Sequence, residues 1–322
     1  MRTFEEKRKK KVVMLGLSNA GKTSIGKFLL SFNLKYALET EPSVNFEKIL
    51  KRNIVGTVNI FIAPGQKRFW KNIEIFKTLL DDYDTILYVI DAADKSRIPE
   101  ARRCFVNIVK FLRSTHLNGK KVLLVAHKQD IPGALKKNII EKLFVNPVKQ
   151  MIPNIKINIF ETSIYRPASL IKLLKEGIYG EEIRSFDDVL TQISLDTRSE
   201  IAVLNDSEGL LISFTGNEDI ALNLAAFSTN IFVTLSKEKK IGVLQKILTS
   251  SKSEEKTFDI ILFKQNNKKL LMMTIPAEKH YSLLLSLVNF RIPYSLLLNK
   301  LDSIAYSVNA IYQRRYSFND EF

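Results

Sequence analysis

Eight residues, Gly16-Leu17-Ser18-Asn19-Ala20-Gly21-Lys22-Thr23, fit the spacing G-x-x-x-x-G-K-[ST]. That spacing suits the holding of a polyphosphate. Backbone N–H groups of a tight, glycine-bearing loop can converge on phosphate oxygens, and the N-terminus of a following helix adds positive potential. The backbone of Ser18, Asn19, Ala20, Gly21 and Ser24 would line such a cradle. Lys22 would reach the β and γ phosphates, and the Thr23 hydroxyl would sit on Mg²⁺. The context agrees, because the apolar run Val12–Leu15 precedes the loop and a helical pattern of Ile25, Phe28, Leu29 and Phe32 follows it.

A phosphate loop does not choose the base. In parallel α/β sheets the base reader is expected at the end of a later strand, and His127-Lys128-Gln129-Asp130 follows the apolar run ending at Ala126. A carboxylate on Asp130 can accept two hydrogen bonds, from N1–H and from the exocyclic amine of guanine, which adenine cannot offer. The aliphatic stem of Lys128 can lie over the base plane.

With these segments the first half of the chain resembles the Ras superfamily, and within it the Arf and Rag/Gtr branches. In the resemblance Gly16–Thr23 is the phosphate loop, and Pro64-Gly65-Gln66 ends the second switch motif. His127–Asp130 stands for the usual N-K-x-D, and Thr162-Ser163-Ile164-Tyr165 is the late loop whose Ser163 and Ile164 support the base. The family resemblance implies GTP or GDP as ligand, Mg²⁺ as cofactor, Gln66 as the catalytic residue that orients attacking water, and Gly65 among the nucleotide-binding residues. In the first switch Thr40-Glu41-Pro42-Ser43 resembles T-x-P-T, which makes Ser43 the hydroxyl sensing Mg²⁺; Thr40 is the competing assignment. The implied activity is a slow GTPase acting as a molecular switch.

One position departs from the pattern. Ras-like chains carry D-x-x-G before the glutamine, and three residues before Gly65 stands Ile62, at the end of an apolar strand. The departure weakens the expected metal site: either Mg²⁺ binds less tightly than in relatives with the Asp, or Asp91, at the end of the next strand, partly substitutes. It also opens the alternative of a non-catalytic nucleotide-binding scaffold, a pseudo-GTPase. Among Arg68, Arg97, Arg102 and Arg103 none can be named as a built-in arginine finger, and a solvated helix surface is the expected place for all four.

The elements that must position these residues follow from hydrophobic periodicity. Short apolar runs at Val12–Leu15, Thr57–Ala63, Thr85–Asp91, Val122–Ala126 and Ile155–Phe160 alternate with helical patterns at 22–33, 68–80, 97–115, 134–143 and 167–176. Val44–Leu50 is an edge strand in this reading. Such alternation predicts a doubly wound α/β domain with a mostly parallel sheet. After Gly177–Gly180 the order changes to helix (181–194), strands at Ile201–Leu204 and Leu210–Phe214 joined by a turn at Asn205–Gly209, a long helix (218–236), three strand candidates and terminal helices. That order is similar to the roadblock fold, which Rag/Gtr chains carry behind the GTPase. The expected division is a basic tail 1–10, a Ras-like domain 11–180 and a smaller α+β roadblock/longin-like dimerisation domain 181–322. In the last, the helix Leu222–Leu235 and the segments Tyr281–Phe290 and Tyr294–Ile311 read as helices apolar on more than one face, for which core packing within the domain and the interface of a homodimer or heterodimer are equally weighted explanations.

Composition bounds the rest. The 322 residues are 45% hydrophobic and 26% charged, with 12 Gly and 9 Pro, which excludes collagen-like and globally disordered classes. A single cysteine, Cys104, allows no internal disulfide and no cysteine-based zinc site, and points to a cytoplasmic location. Trp70, His116 and His280 read as structural or surface residues. The net charge of +15 is lopsided: residues 1–180 carry 33 Lys+Arg against 16 Asp+Glu, and 181–322 carry 16 against 18. Arg2 excludes N-myristoylation. The basic excess suits a solvated surface, with peripheral contact at an anionic membrane as the next expectation. Aromatic residues do not interleave with the basic clusters, which argues against nucleic acid. Protein effectors and regulators are the partners that a switch implies.

Overall fold

A computed structural model describes residues 9–31, 34–39, 46–53, 56–65, 83–114, 120–180, 186–237, 260–265, 268–278 and 281–316. The chain divides into two compact units, Met1–Arg52 with Gly56–Ile178 and Asn53–Val55 with Tyr179–Phe322. Among the described residues no helix is long and apolar enough to cross a membrane.

In the first unit, β1 (Lys9–Leu15) leads through the 16–21 loop into α1 (Lys22–Ser31) and the short α2 (Leu34–Leu38). Then come β2 (Glu47–Asn53), β3 (Gly56–Ile62) and β4 (Thr85–Asp91). A 3₁₀ turn, Lys95–Arg97, opens α3 (Ile98–Ser114). β5 (Lys121–His127), a helical stretch α4 (137–151), β6 (Ile157–Glu161) and α5 (167–179) complete the unit. The sheet order is β2-β3-β1-β4-β5-β6, with β3, β1, β4, β5 and β6 successively parallel. Strands buried on both faces read as continuous apolar runs, and Val122 to His127 are all buried. One face packs Tyr88, Val122 and Leu124 against Phe105 of α3 and Phe144 of α4. α1 approaches β3 so closely that a β-carbon on Gly26 would stand 2.5 Å from Ile62 Cδ1.

The edge strand is β2, but it begins at Glu47; Val44 and Asn45 lie outside the described residues. The expected helix at 68–80 lies outside them too. β6 starts two residues later than the apolar run suggested, at Ile157.

The second unit comprises α6 (Asp187–Thr197), β7 (Ile201–Asp206), β8 (Leu211–Thr215), α7 (Glu218–Lys237), β9 (Ile260–Gln265), β10 (Lys268–Glu278), β11 (Tyr281–Val288) and α8 (Tyr294–Tyr316). Its sheet runs β8-β7-β11-β10-β9, antiparallel throughout. The expectation of a helix over Tyr281–Phe290 is corrected. The segment is the central strand β11, with Leu283, Leu284, Leu285 and Leu287 all buried. Apolar on both faces, it shows no alternation and imitates a buried helix. Asn205 is not a turn residue either. It lies in β7, fully buried, donating from Nδ2 to Thr229 Oγ1 at 3.0 Å and accepting from Ser228 Oγ at 3.0 Å, so β7 is tied to α7 by its side chain. The turn itself is held by Asp206, whose Oδ1 accepts the N–H groups of Glu208 and Leu210.

Candidate functional site

The expected phosphate loop sits at the C-terminal end of β1, where parallel strands deliver loops to one edge of the sheet. Gly16 has φ 146, and a β-carbon there would be 2.3 Å from the Val89 carbonyl oxygen, so the loop passes against the backbone of β4. Gly21 has φ 94, and its missing β-carbon leaves room for the His127 ring, whose Cδ2 would be only 2.4 Å away. Asn19 also sits at positive φ, 62°. Lys22, Thr23 and Ser24 form the first turn of α1.

Lys22 is buried, and its Nζ donates to the carbonyls of Gly16 and Leu17, each at 2.9 Å. Burial, then the nearby Arg97 charge, pushes its ammonium from 10.5 down to about 8. The Glu47 charge offsets this only in part, and an anion at the loop would raise the ammonium back toward its ordinary basicity. Ser18 is bound from two directions. Its N–H donates to the Gly65 carbonyl at 3.0 Å, and Arg97 donates to its carbonyl at 2.7 Å and to its Oγ at 3.2 Å. Gly65 has to be glycine in this arrangement, since a β-carbon would lie 2.2 Å from Ser18 N.

The expected base site forms at the ends of β5 and β6. Thr162 N–H donates to the Ala126 carbonyl and Gln129 N–H to the Thr162 carbonyl, which sets the two loops side by side. Lys128 takes a left-handed φ of 64 and reaches back to Asp91, Nζ to Oδ2 at 2.7 Å. Ser163 Oγ donates to Asp130 Oδ1 and accepts from the Tyr165 N–H at 3.0 Å. That leaves Asp130 one oxygen not engaged by Ser163. Ser163 is itself placed by Ser169, whose Oγ accepts its N–H at 3.0 Å. Ile164 is buried beside it.

His127 joins the two halves. It is buried, its ring lies against Gly21, and its Nδ1 stands 2.9 Å from Thr162 Oγ1. Burial, then the charge of Lys128, pushes the imidazole from 6.5 down to about 4, so it is neutral near pH 7.

The structure thus brings together Ser18 to Ser24 and Gly65 on one side and His127, Lys128, Asp130, Ser163 and Ile164 on the other. Gln66, Ser43 and Thr40 lie outside the described residues, as do Arg68, Trp70, His116 and His280. Two expectations change. Asp91 is not a spare carboxylate for a metal: its Oδ2 carries Lys128, and its Oδ1 accepts the N–H groups of Ala93 and Asp94. Arg97 does not decorate a helix surface but binds the loop. Asp91 was findable, because parallel pairing of neighbouring strands puts their ends together, and Asp91 pairs with His127. Arg97 gave no such signal. Among the described residues no cluster of three or more His, Cys, Asp or Glu could hold a metal ion. Ile62 is fully buried against α1.

A model of the ADP-ribosylation factor family matches residues 1–176. ADP-ribosylation factor-like protein 2 of Drosophila melanogaster is 32% identical over 143 residues, covering 43% of this chain and 71% of that protein. ADP-ribosylation factor-like protein 5 of Caenorhabditis elegans is 33% identical over 130 residues, covering 40% and 67%. Among solved structures, the Arl6 small GTPase of Trypanosoma brucei, with bound nucleotide analogue GppNp, has a TM-score of 0.41 at 22% identity, over 48% of this chain and 87% of that one.

Proposed function

Because the chain belongs, through residues 1–176, to the ADP-ribosylation factor family of GTP-binding switches, we propose that it binds GDP and GTP between the 16–24 loop and the 127–130 and 162–165 loops. The observation that carries this reading is the placement of His127, packed on Gly21 of the phosphate loop and bonded to Thr162 of the base loop. A ligand with a phosphate chain at one end and a base at the other would span that tie. Lys22 and the loop N–H groups take the phosphates, Asp130 reads guanine, and Lys128, steadied by Asp91, lies along the base.

Mg²⁺ fits the site only in part. Thr23 can offer a hydroxyl, but Ile62 offers no oxygen and Asp91 is already engaged. The metal would compensate phosphate charge when bound. In this reading it is held less tightly than where a carboxylate stands at position 62. Hydrolysis, if Gln66 orients water, is slow. Ile62 as a core residue also favours a second reading, in which the chain retains nucleotide without turning it over. Fluorescent GDP and a non-hydrolysable GTP analogue, titrated with and without Mg²⁺ and with ATP as competitor, test the first reading; ATP competing as well as GTP sinks it. Phosphate release under multiple turnover separates switch from scaffold.

The finer kinship proposed is with Rag/Gtr proteins, supported by His127 in H-K-x-D and by the second unit. There, among the described residues, the order helix, two strands, helix, three strands, helix and the sheet order β8-β7-β11-β10-β9 support a roadblock-like reading. Pairing of two such units is supported by edge strand β9, where Leu262 and Phe263 are 46% and 42% exposed, and by Phe227 of α7, 46% exposed and 6.4 Å from the Phe263 ring. Sedimentation should give a dimer that Phe263→Glu converts to monomer; an unchanged mass for the variant rejects this surface. A cytoplasmic location, peripheral to a membrane at most, belongs to the same proposal.

A further inference from the structure

Arg97 stands on the 3₁₀ turn before α3, 79 residues from Ser18 in sequence, yet its guanidinium forks onto that one residue. Nη1 donates to the Ser18 carbonyl at 2.7 Å and Nη2 to Ser18 Oγ at 3.2 Å. Glu100 lies 3.9 Å from Nε, which steadies the fork at its root. With Lys22 on the carbonyls of Gly16 and Leu17, two cations hold three successive carbonyls of the loop.

The Ser18–Asn19 peptide is trans, so its carbonyl and its N–H point in opposite directions. A guanidinium that holds the Ser18 carbonyl turns the Asn19 N–H away from itself. Asn19 sits at φ 62, a left-handed conformation that asparagine adopts readily, so the residue type permits this orientation of the peptide and the guanidinium selects it. Among the described residues the Asn19 N–H finds no backbone acceptor. Ser18 is held from its other side as well, since its own N–H is tied to the Gly65 carbonyl.

We infer that Arg97 is a positioning residue for the phosphate loop. It holds the Ser18 carbonyl outward, so that the Asn19 N–H faces the β-phosphate, and it acts from behind the loop rather than as a cation on the transferred phosphoryl group. The inference rests on the guanine-nucleotide reading above, and its test separates the two.

Arg97→Ala and Arg97→Lys are compared with the parent chain in two measurements. In nucleotide-free protein, amide hydrogen exchange over 16–24 should quicken in Arg97→Ala while the β4 and β5 amides keep their protection. Unchanged loop exchange overturns the inference whatever the loop holds. In GDP-loaded protein, fluorescent GDP should leave at least about tenfold faster from Arg97→Ala, which loses both bonds of the fork, one charge-assisted hydrogen bond alone being worth about that factor. Arg97→Lys keeps a charge but not the fork and should fall between. The ³¹P resonance of the bound β-phosphate should move while that of the α-phosphate stays. Equal movement of both, or faster loss of GDP with neither resonance moved, makes Arg97 a general stabiliser and overturns the inference. A parent chain that ignores GDP while its loop exchange responds to Arg97 overturns the guanine reading and leaves the clamp standing.

Discussion

The His127 imidazole occupies the space that a side chain on Gly21 would need: a β-carbon there would lie 2.4 Å from Cδ2 and 2.8 Å from Nε2. The contact joins the phosphate loop to β5, and through the Nδ1 contact with Thr162 Oγ1, 2.9 Å long, it extends to the loop after β6. Gly21→Ala therefore meets both a clash and a left-handed φ of 94. The expected outcome is a loss of about 1–3 kcal/mol in stability from backbone strain alone and a fall in GDP affinity of tenfold or more. Chemical denaturation and a fluorescent GDP titration check the two parts.

His127 also makes stability depend on pH. Its folded value of about 4 lies below its ordinary 6.5, so the unfolded chain takes up a proton that the folded chain refuses between those values. Stability from this residue is complete above pH 6.5, falls as pH drops through the window, and levels below pH 4. Across the window the loss is about 3 kcal/mol. Denaturation midpoints at pH 7, 5.5 and 4.5 measure it, and His127→Asn should flatten the slope in that range.

Lys22 gives a second, opposite window that belongs to the ligand. Its ammonium is held near 8 in the free protein, and phosphate beside it raises that value. GDP binding should take up a proton around pH 8 to 9, and affinity should fall by up to about tenfold per pH unit above 8. Calorimetry in two buffers of different ionisation enthalpy reads the proton directly; Lys22→Met should abolish the uptake.

Asp130 accepts from Ser163 and in the proposed reading takes two donors from guanine. An amide at this position presents one donor and one acceptor, the complement of xanthine's N1–H and 2-oxo group. Asp130→Asn should lose GDP affinity by about 10² or more, since an unpaired buried polar group is left on each side, and should gain xanthosine diphosphate. Competition between the two nucleotides decides it.

Gly26 and Ile62 are coupled through packing. A β-carbon on Gly26 would be 2.5 Å from Ile62 Cδ1 and 2.7 Å from Ile49 Cδ1, in a fully buried seam. Gly26→Ala should destabilise by about 1–3 kcal/mol through overpacking, despite the better helix propensity of alanine. Ile62→Val removes the nearer methyl, and the double variant should recover part of the loss in a mutant cycle.

Much of the first unit was legible because its signals are local. The phosphate loop, its flanking strand and helix, and the runs that became β3, β4 and β5 each declare themselves within a few residues. Parallel strands buried on both faces read as short continuous apolar runs, and here the helical patterns and loop motifs between them marked where each run began and ended. The second unit was less legible where burial erased periodicity, as in β11, and where a polar residue was taken for turn chemistry. Asn205 serves a buried tie to Thr229 and Ser228 instead.

For the candidate site, the sequence by itself determined which residue types could meet phosphate and guanine, because spacing within a loop and the order of strands are covalent facts. Only the tertiary structure decided what those residues touch. It gave Asp91 to Lys128, Arg97 to the Ser18 carbonyl and His127 to both Gly21 and Thr162. The hydrogen-bonded partners among these are 35 to 79 residues apart, and Gly21 and His127 are farther apart still. No local pattern encodes such pairings, because they arise only when parallel strands align their ends and the buried polar groups there must find partners within hydrogen-bond reach.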